Sequence, residues 1–478
     1  MAKLKFGTKN IKEIPFYKSG TIHPSGTLTV SAQSGVYDVT NYAFVDVNYE
    51  TLMDKRIFGT FSGSFYNSEF SAIKRPYAFA GTDIIEIILP NCNLIDANNA
   101  FASCYSLSTI NLPNCSRIDG YSVFCNCSSL TSVSLPNCSY LGWNAFQSCT
   151  SLTSINLPKC RITGGFTFFG CSSLISVDLP NCSDIGICTF QSCISLTSIN
   201  LPICRGIGSS AFDNCNSLLL IDLPSCSYIS SNAFQSCSSL TTINIPKCSA
   251  IGSSAFQYCY SLTSIDLPSC NRIRNATFRH CSSLMSVNLP NCSYVEFSAF
   301  EYCSSLTSIN LPNCSGIGRN TFSHCTSLTS INLPACISID KDVFQSCFSL
   351  VLISLPICTY IASFAFFNCS SLTSIDLPNC SYLGSSAFGY CSSLNTINLP
   401  NCNSIGWYAF TNCRSLASIY LTSTSLVSIT TSNIFEYTPM NNSTYIGNFG
   451  SIFVPQSLLT SYQTATYWSY YSARFVGV

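Results

Sequence analysis

The sequence predicts an α/β-type repeat solenoid, with one short parallel strand per coil of 22 or 23 residues and short helical or 3-10 turns on the back. Three observations carry this prediction. A strand-like run closed by Leu-Pro, once Ile-Pro, recurs at Leu89, Leu112, Leu135, Leu157 and onward to Leu399, with spacings of 23, 23 and then 22. A phenylalanine holds the same place in every copy, from Phe101 and Phe124 to Phe388 and Phe410, and Phe79 extends the column by one coil. Two cysteine columns keep the same step, one starting at Cys92 and the other at Cys104. A chain of 478 residues with such a period grows by stacking coils rather than by adding domains.

Residues 1–50 lie outside the repeat. They alternate apolar and polar side chains over 26–30 and 37–47, which reads as short strands around the turn Gln33-Ser34-Gly35. Residues 51–77 read as a degenerate coil that caps the stack, because an open parallel edge invites pairing with another chain. Residues 78–421 are the solenoid. Residues 422–478 leave the period and form the second cap, with a strand over 450–454 and a helix from Pro455 to Tyr462.

Within one copy, Leu240, Ile243 and Ile245 face the core, while Thr241, Thr242 and Asn244 face outward. Pro246 ends the strand, since it has no N–H to donate. Glycine after Ile251 or Ile317 marks a turn. The Ala255-Phe256 segment reads as the helical turn, its ring plugging the core.

Fifteen of the thirty-two cysteines fall in each column, leaving Cys125 and Cys188 as extras. Three fates compete. Reduced thiols packed as small hydrophobes fit a narrow coil. Disulfides between coils satisfy the Cα separation but not the dihedral. Metal binding wants Cys-x2–4-Cys spacing, which these columns do not offer.

Composition narrows function. Charged residues are 9% and the formal net charge is zero, which excludes binding by phosphate neutralisation. No apolar run approaches the roughly 18–20 residues of a membrane span. The basic start, Met1-Ala2-Lys3-Leu4-Lys5-Phe6-Gly7, lacks the apolar stretch of a secretory signal. The three histidines, His23, His280 and His324, sit with no plausible nucleophile and orienting acid, so neither catalysis, metal nor cofactor is expected.

Leu-x-x-Ile-x-Leu-x-x-Cys resembles the strand segment of leucine-rich repeats. The longer form Ala-Phe-x-x-Cys-x-Ser-Leu-x-x-Ile-x-Leu-Pro is similar to the subclass named for Treponema pallidum and for BspA-like surface proteins, over residues 78–421. Ile452-Phe453-Val454-Pro455, followed by Trp468-Ser469-Tyr470-Tyr471, resembles the C-terminal end of BspA-like proteins. The resemblance implies a right-handed, curved solenoid with its parallel sheet on the concave side. It also implies a microbial cell surface or extracellular location and adhesion to host or matrix components. The N-terminal segment resembles leaders of virion and surface proteins, so a virion or surface-layer part is the alternative.

The outward strand positions form the first candidate binding face. Thr153, Ser154 and Asn156, Thr197 and Asn200, and Thr307 and Asn310 read as an array of hydroxyls and amides. It is either a solvated surface repeated by duplication or a lattice for a repetitive glycan or protein ligand. Leu219 with Leu220, and Val351 with Leu352, break it with apolar pairs. On the back, His280, Tyr302 and His324 share a column with Arg319 close by, and Trp143 and Trp407 are exposed-aromatic candidates. Arg274 is expected over Glu296 and Arg279 over Glu301, each pair being 22 apart. The expected partner is a protein or glycan, with self-association or virion assembly as the alternative, and with no nucleic acid and no membrane insertion.

Overall fold

The computed structural model describes residues 5–6, 9–10, 28–29, 63–66, 71–74, 76–441 and 449–478. The strand expected over 37–47, the turn at 33–35, His23 and most of 51–77 lie outside the described residues. The chain divides into two compact units, residues 1–245 and 246–478. Each unit is a parallel-strand solenoid built on the predicted period.

The front wall is a column of three-residue strands. In the first unit Ser154–Asn156 pairs parallel with Ser176–Asp178, which pairs with Ser198–Asn200, each residue facing its counterpart 22 positions on. In the second unit Ser264, Ser286, Ser308 and Ser330 align in the same way. The central residue of each strand points inward and its neighbours point out, as Ile155 and Ile309 do. At the N-terminal side, Gly63–Tyr66 pairs parallel with Ile84–Ile88, and Phe65 packs on Phe79.

The expectation of one strand per coil is incomplete. A second, two-residue strand follows the Pro in each coil, such as Tyr140–Leu141, Asp184–Ile185 or Tyr294–Val295. These strands form their own parallel column, with Arg117, Tyr140 and Ile162 in register in the first unit, and Arg272, Tyr294 and Gly316 in the second. The glycine that follows is there for close approach rather than for turn geometry. A Cβ on Gly186 would sit 2.7 Å from the Thr163 and Gly164 carbonyl oxygens of the preceding coil.

The back wall is also not helical. Two left-handed residues bracket each Phe, for example Asn144 (φ 58°) and Ser148 (φ 57°) around Phe146. A left-handed residue breaks a right-handed helix at once. The segment instead makes two successive turns, with Gln147 N–H donating to Asn144 O and Cys149 N–H to Phe146 O. The alternate N–H groups of Asn144, Phe146 and Ser148 donate to Gly165, Thr167 and Phe169 of the next coil, at 2.7–2.9 Å. A third hydrogen-bonded column therefore runs along each unit. It satisfies backbone groups that would otherwise be buried without partners.

Between the three walls lies the core. In the first unit the rings from Phe79 to Phe234 stack face to face, with centroids 4.7–5.6 Å apart. In the second unit Phe256 to Phe435 stack in the same way. At nearly every step the separation exceeds the strand step of about 4.8 Å, as in the offset arrangement that ring quadrupoles prefer.

All thirty-two cysteines are thiols, and all but Cys125 are buried. In one column nearly every Sγ–H donates to the carbonyl of the Phe one coil earlier, 25 or 26 residues back: Cys171 to Phe146 at 3.1 Å, Cys325 to Phe300 at 3.2 Å. In the other column most thiols donate to the carbonyl two residues ahead, as Cys138 does to Tyr140 O at 3.2 Å.

After the last repeat, Phe435 meets Tyr471 edge-on. Ser451–Val454 and Phe475–Gly477 extend the front sheet in parallel. The helix expected from Pro455 is a 3-10 turn at Gln456–Leu458 leading into an α-helix at Leu459–Thr464. Its Tyr462 hydroxyl accepts the Val427 N–H, and Trp468 Nε1 donates to Val427 O at 2.7 Å.

Burial raises the thiols from an ordinary value of 9.0, Cys92, Cys138, Cys204 and Cys402 to about 11 and Cys171 to about 12. Between pH 9 and 11 the unfolded chain loses these protons and the folded chain keeps them. Stability therefore falls by about 1.4 kcal/mol per such thiol per pH unit in that window. The thermal midpoint, followed by circular dichroism under reducing conditions, is expected to hold steady up to about pH 8.5 and then drop steeply. A midpoint unchanged to pH 11 would contradict the buried-thiol columns.

Candidate functional site

With the interior filled, chemistry is left to the outer walls. On the front wall, Thr153, Ser154 and Asn156 are exposed, as are Asn200, Thr307 and Asn310, while Thr197 is half-buried. The expectation of an outward hydroxyl array needs correction. The threonine hydroxyls turn back onto the preceding coil: Thr197 Oγ1 donates to Ile175 O at 3.1 Å, Thr241 to Leu219 O at 2.9 Å, and Thr307 to Met285 O at 3.3 Å. The hydroxyl donors of this threonine column are therefore spent within the wall. Ile175 and Leu219 continue that column in the first unit, and Met285 and Val351 in the second, all of them exposed. Leu220 and Leu352, next to this column, are 57% and 63% exposed.

The third front column carries the polarity. Asn200 Nδ2 donates to Asp178 Oδ1 at 2.8 Å, Asn244 to Asp222 at 2.7 Å, and Asn288 to Asp266 at 2.9 Å. Each rung joins like positions on adjacent coils. Asn156 and Asn310 make no such side-chain bond and keep both amide functions open to solvent.

On the back of the second unit, His280, Tyr302 and His324 do form one stack, with ring centroids 4.5 Å apart at both steps. Tyr258, which the sequence reading missed, extends it below His280 at 5.1 Å. These rings occupy the second left-handed position of their coils, which directs them outward in register. Burial and the neighbouring Arg279 hold the His280 imidazole below its ordinary value, and Glu301 partly offsets them.

Arg319 belongs to a different feature, a groove of about 840 Å³ that none of the three rings lines. Both predicted ion pairs are there. Arg279 Nε lies 2.8 Å from Glu301 Oε2, and Arg274 Nη1 lies 3.6 Å from Glu296 Oε1. Arg272, missed from the sequence, takes the shorter contact to Glu296, at 2.6 Å, and rests over the Tyr294 ring. The groove lining is electrically balanced, with Arg272, Arg279 and Arg319 against Glu296, Glu301 and Asp340. Trp143 is half-exposed and leans on Phe166, while Trp407 is exposed and donates its indole N–H to Thr430.

The side chains that the sequence reading missed sit largely on the second strand. Read as a turn, that stretch offered no reason to align Arg117 with Tyr140 or Arg272 with Tyr294. Among the described residues, no group of three His, Cys, Asp or Glu could hold a metal ion.

Replacing Arg279 by Gln removes the cation beside His280 and should raise the His280 pKa. Imidazole resonances of selectively labelled protein titrated by NMR would show it. An unchanged or lowered pKa would mean that Arg279 does not govern the imidazole.

The repeats match the BspA-type leucine-rich repeat region over residues 58–171, 161–284, 249–357 and 337–453. A leucine-rich repeat protein from Bacteroides ovatus is 24% identical, covers 73% of this chain and 89% of its own length, and gives a TM-score of 0.54. Another, from Eubacterium ventriosum, is 18% identical over 64% of this chain and 88% of its own, with a TM-score of 0.39. The T. pallidum leucine-rich repeat protein is 27% identical over 41% of this chain and 85% of its own, with a TM-score of 0.30. No curated protein matches the sequence. Period, Phe column and front strand, together with a family match that spans most of the chain, make this protein a member of the BspA-type leucine-rich repeat family.

Proposed function

We propose that the protein is a non-enzymatic binding or adhesion module at a microbial surface. Residues 78–421 serve as its repeat scaffold, with 51–77 and 422–478 as caps. Its working surface is the front wall, offered to protein or glycan partners. The observation that carries this reading is the amphipathic front lattice: a column of threonines with spent donors and exposed aliphatic side chains beside a column of Asn–Asp rungs. Both columns repeat at about 4.8 Å. A partner that itself repeats, such as a glycan or a protein sheet edge, can meet several identical coils at once, and weak contacts then multiply.

The exposed pairs Leu219–Leu220 and Val351–Leu352 favour a second use of the same wall, self-association within a virion or surface layer. No helix among the described residues is long and apolar enough to cross a membrane.

Two double variants, Thr197→Lys with Asn200→Lys and Thr307→Lys with Asn310→Lys, test the front wall on an array of glycans and matrix proteins. Each is expected to weaken the bound partner by about tenfold or more, since a buried unpaired ammonium costs several kcal/mol at an interface. Undiminished binding by both would reject the front wall as the working surface. Light scattering decides the second use: self-association that disappears in Leu220→Asp or Leu352→Asp supports it, and a strict monomer rejects it.

A further inference from the structure

We propose that a groove on the second-strand side of the first unit, formed by Arg117, Tyr140, Lys159, Arg161, Ile162 and Asn181, binds an anionic saccharide. The proposal rests on the binding function above and gives it a ligand class and a separate site. The chain as a whole is balanced, with 21 cationic and 21 acidic residues. This groove, of about 970 Å³, is not: its lining carries three cations and no carboxylate.

Asp119 pairs with Arg117, so the uncompensated surplus is carried by Lys159 and Arg161. Asp119 accepts from Arg117 Nε through both oxygens, at 3.0 and 3.1 Å. Asp184 accepts from Ser183 Oγ at 2.8 Å and from the Tyr228 hydroxyl at 3.1 Å. The comparable groove in the second unit compensates its own charge, three against three, and leaves no such surplus.

Two of the three cations are also placed in advance. Arg117 lies over the Tyr140 ring, 5.3 Å from its centroid, and only its Nε is engaged. Its two terminal nitrogens stay open for a bidentate carboxylate or sulfate. Lys159 Nζ is steadied by Asn137 Oδ1 at 2.7 Å and keeps two further N–H donors. Arg161 is exposed, and its guanidinium makes no ion pair or hydrogen bond. Holding long side chains in place beforehand removes part of the entropy cost of binding.

The remaining lining suits a sugar. Ile162 is 48% exposed and offers an apolar surface to ring C–H groups. Asn181 donates its amide N–H to Pro158 O at 2.7 Å, which leaves Oδ1 as an acceptor for a hydroxyl. Three cations in one groove are too few for a nucleic-acid track, whose affinity grows with the number of phosphates neutralised. Ile162 lies open rather than at the bottom of an apolar socket, so a peptide side chain finds no anchor here.

The test titrates the full chain by calorimetry with oligogalacturonate, heparin hexasaccharide, maltohexaose and hexaglutamate. One or both anionic saccharides are expected to bind, about tenfold or more weaker at high salt than at low salt. The carboxylated and sulfated arms tell which anion is preferred. Arg161→Glu combined with Lys159→Gln should cut that affinity about tenfold or more with an unchanged circular dichroism spectrum. Equal binding of maltohexaose or of hexaglutamate overturns the proposal, as does binding indifferent to the double variant or no binding of either anionic saccharide. If these fail while an array partner still depends on the front wall, the groove alone is wrong. If no partner is found for the unaltered protein, the binding function falls with it.

Discussion

Register between coils is the constraint on which the rest of this structure depends. Within each unit three hydrogen-bonded columns, the front strands, the second strands and the back turns, lock each coil to the next at the same step. Every side chain then faces its counterpart 22 or 23 residues away. A repeat position must therefore tolerate itself. Phe does so by offset stacking. Cys does so because it is small and can donate its weak S–H to a carbonyl, as Cys325 does to Phe300. The outside obeys the same rule with the opposite outcome. Like charges would repel along a column, so the second unit sets Arg272 and Arg274 against Glu296, and Arg279 against Glu301.

Most of the fold was legible in the sequence because it is written once per coil. The Phe column, the Leu-x-x-Ile-x-Leu spacing and the terminal Pro each repeat often enough to leave little choice. Two features were not legible. The second strand is two residues long, one facing out and one in, as in Tyr294 and Val295. That is too short for a period-two pattern to register. The left-handed residues were hidden because nearly all of these positions are filled by Asn, Ser, Tyr, His and even Ala276, with Gly only at Gly81 and Gly170. Each non-glycine residue held there costs about 1–2 kcal/mol, less for Asn. The intercoil bond made by the same residue's N–H offsets that cost, a long-range compensation that no local rule anticipates.

The candidate sites follow the same division. Leu219, Leu220, Val351 and Leu352 were visible because they break an outward pattern that the sequence spells out. The His280–Tyr302–His324 column was visible from spacing alone. The orientation of the threonine hydroxyls was not, since a residue symbol does not say whether its methyl or its hydroxyl meets water. The cationic groove was missed for a topological reason. Arg117 and the Lys159–Arg161 pair come from two coils separated by the one that carries Tyr140, and they converge only once Tyr140 is known to lie on a strand rather than in a turn. On a repetitive scaffold, specificity resides in such departures from the lattice.

A thiol count tests the central claim most directly. In native buffer a water-soluble thiol reagent should modify no more than the two off-column cysteines, Cys125 and Cys188, on the timescale of minutes, while denaturant without reductant should release all thirty-two. Rapid native modification of many thiols, or fewer than thirty-two after unfolding, would mean that the coils do not stack around a continuous reduced interior.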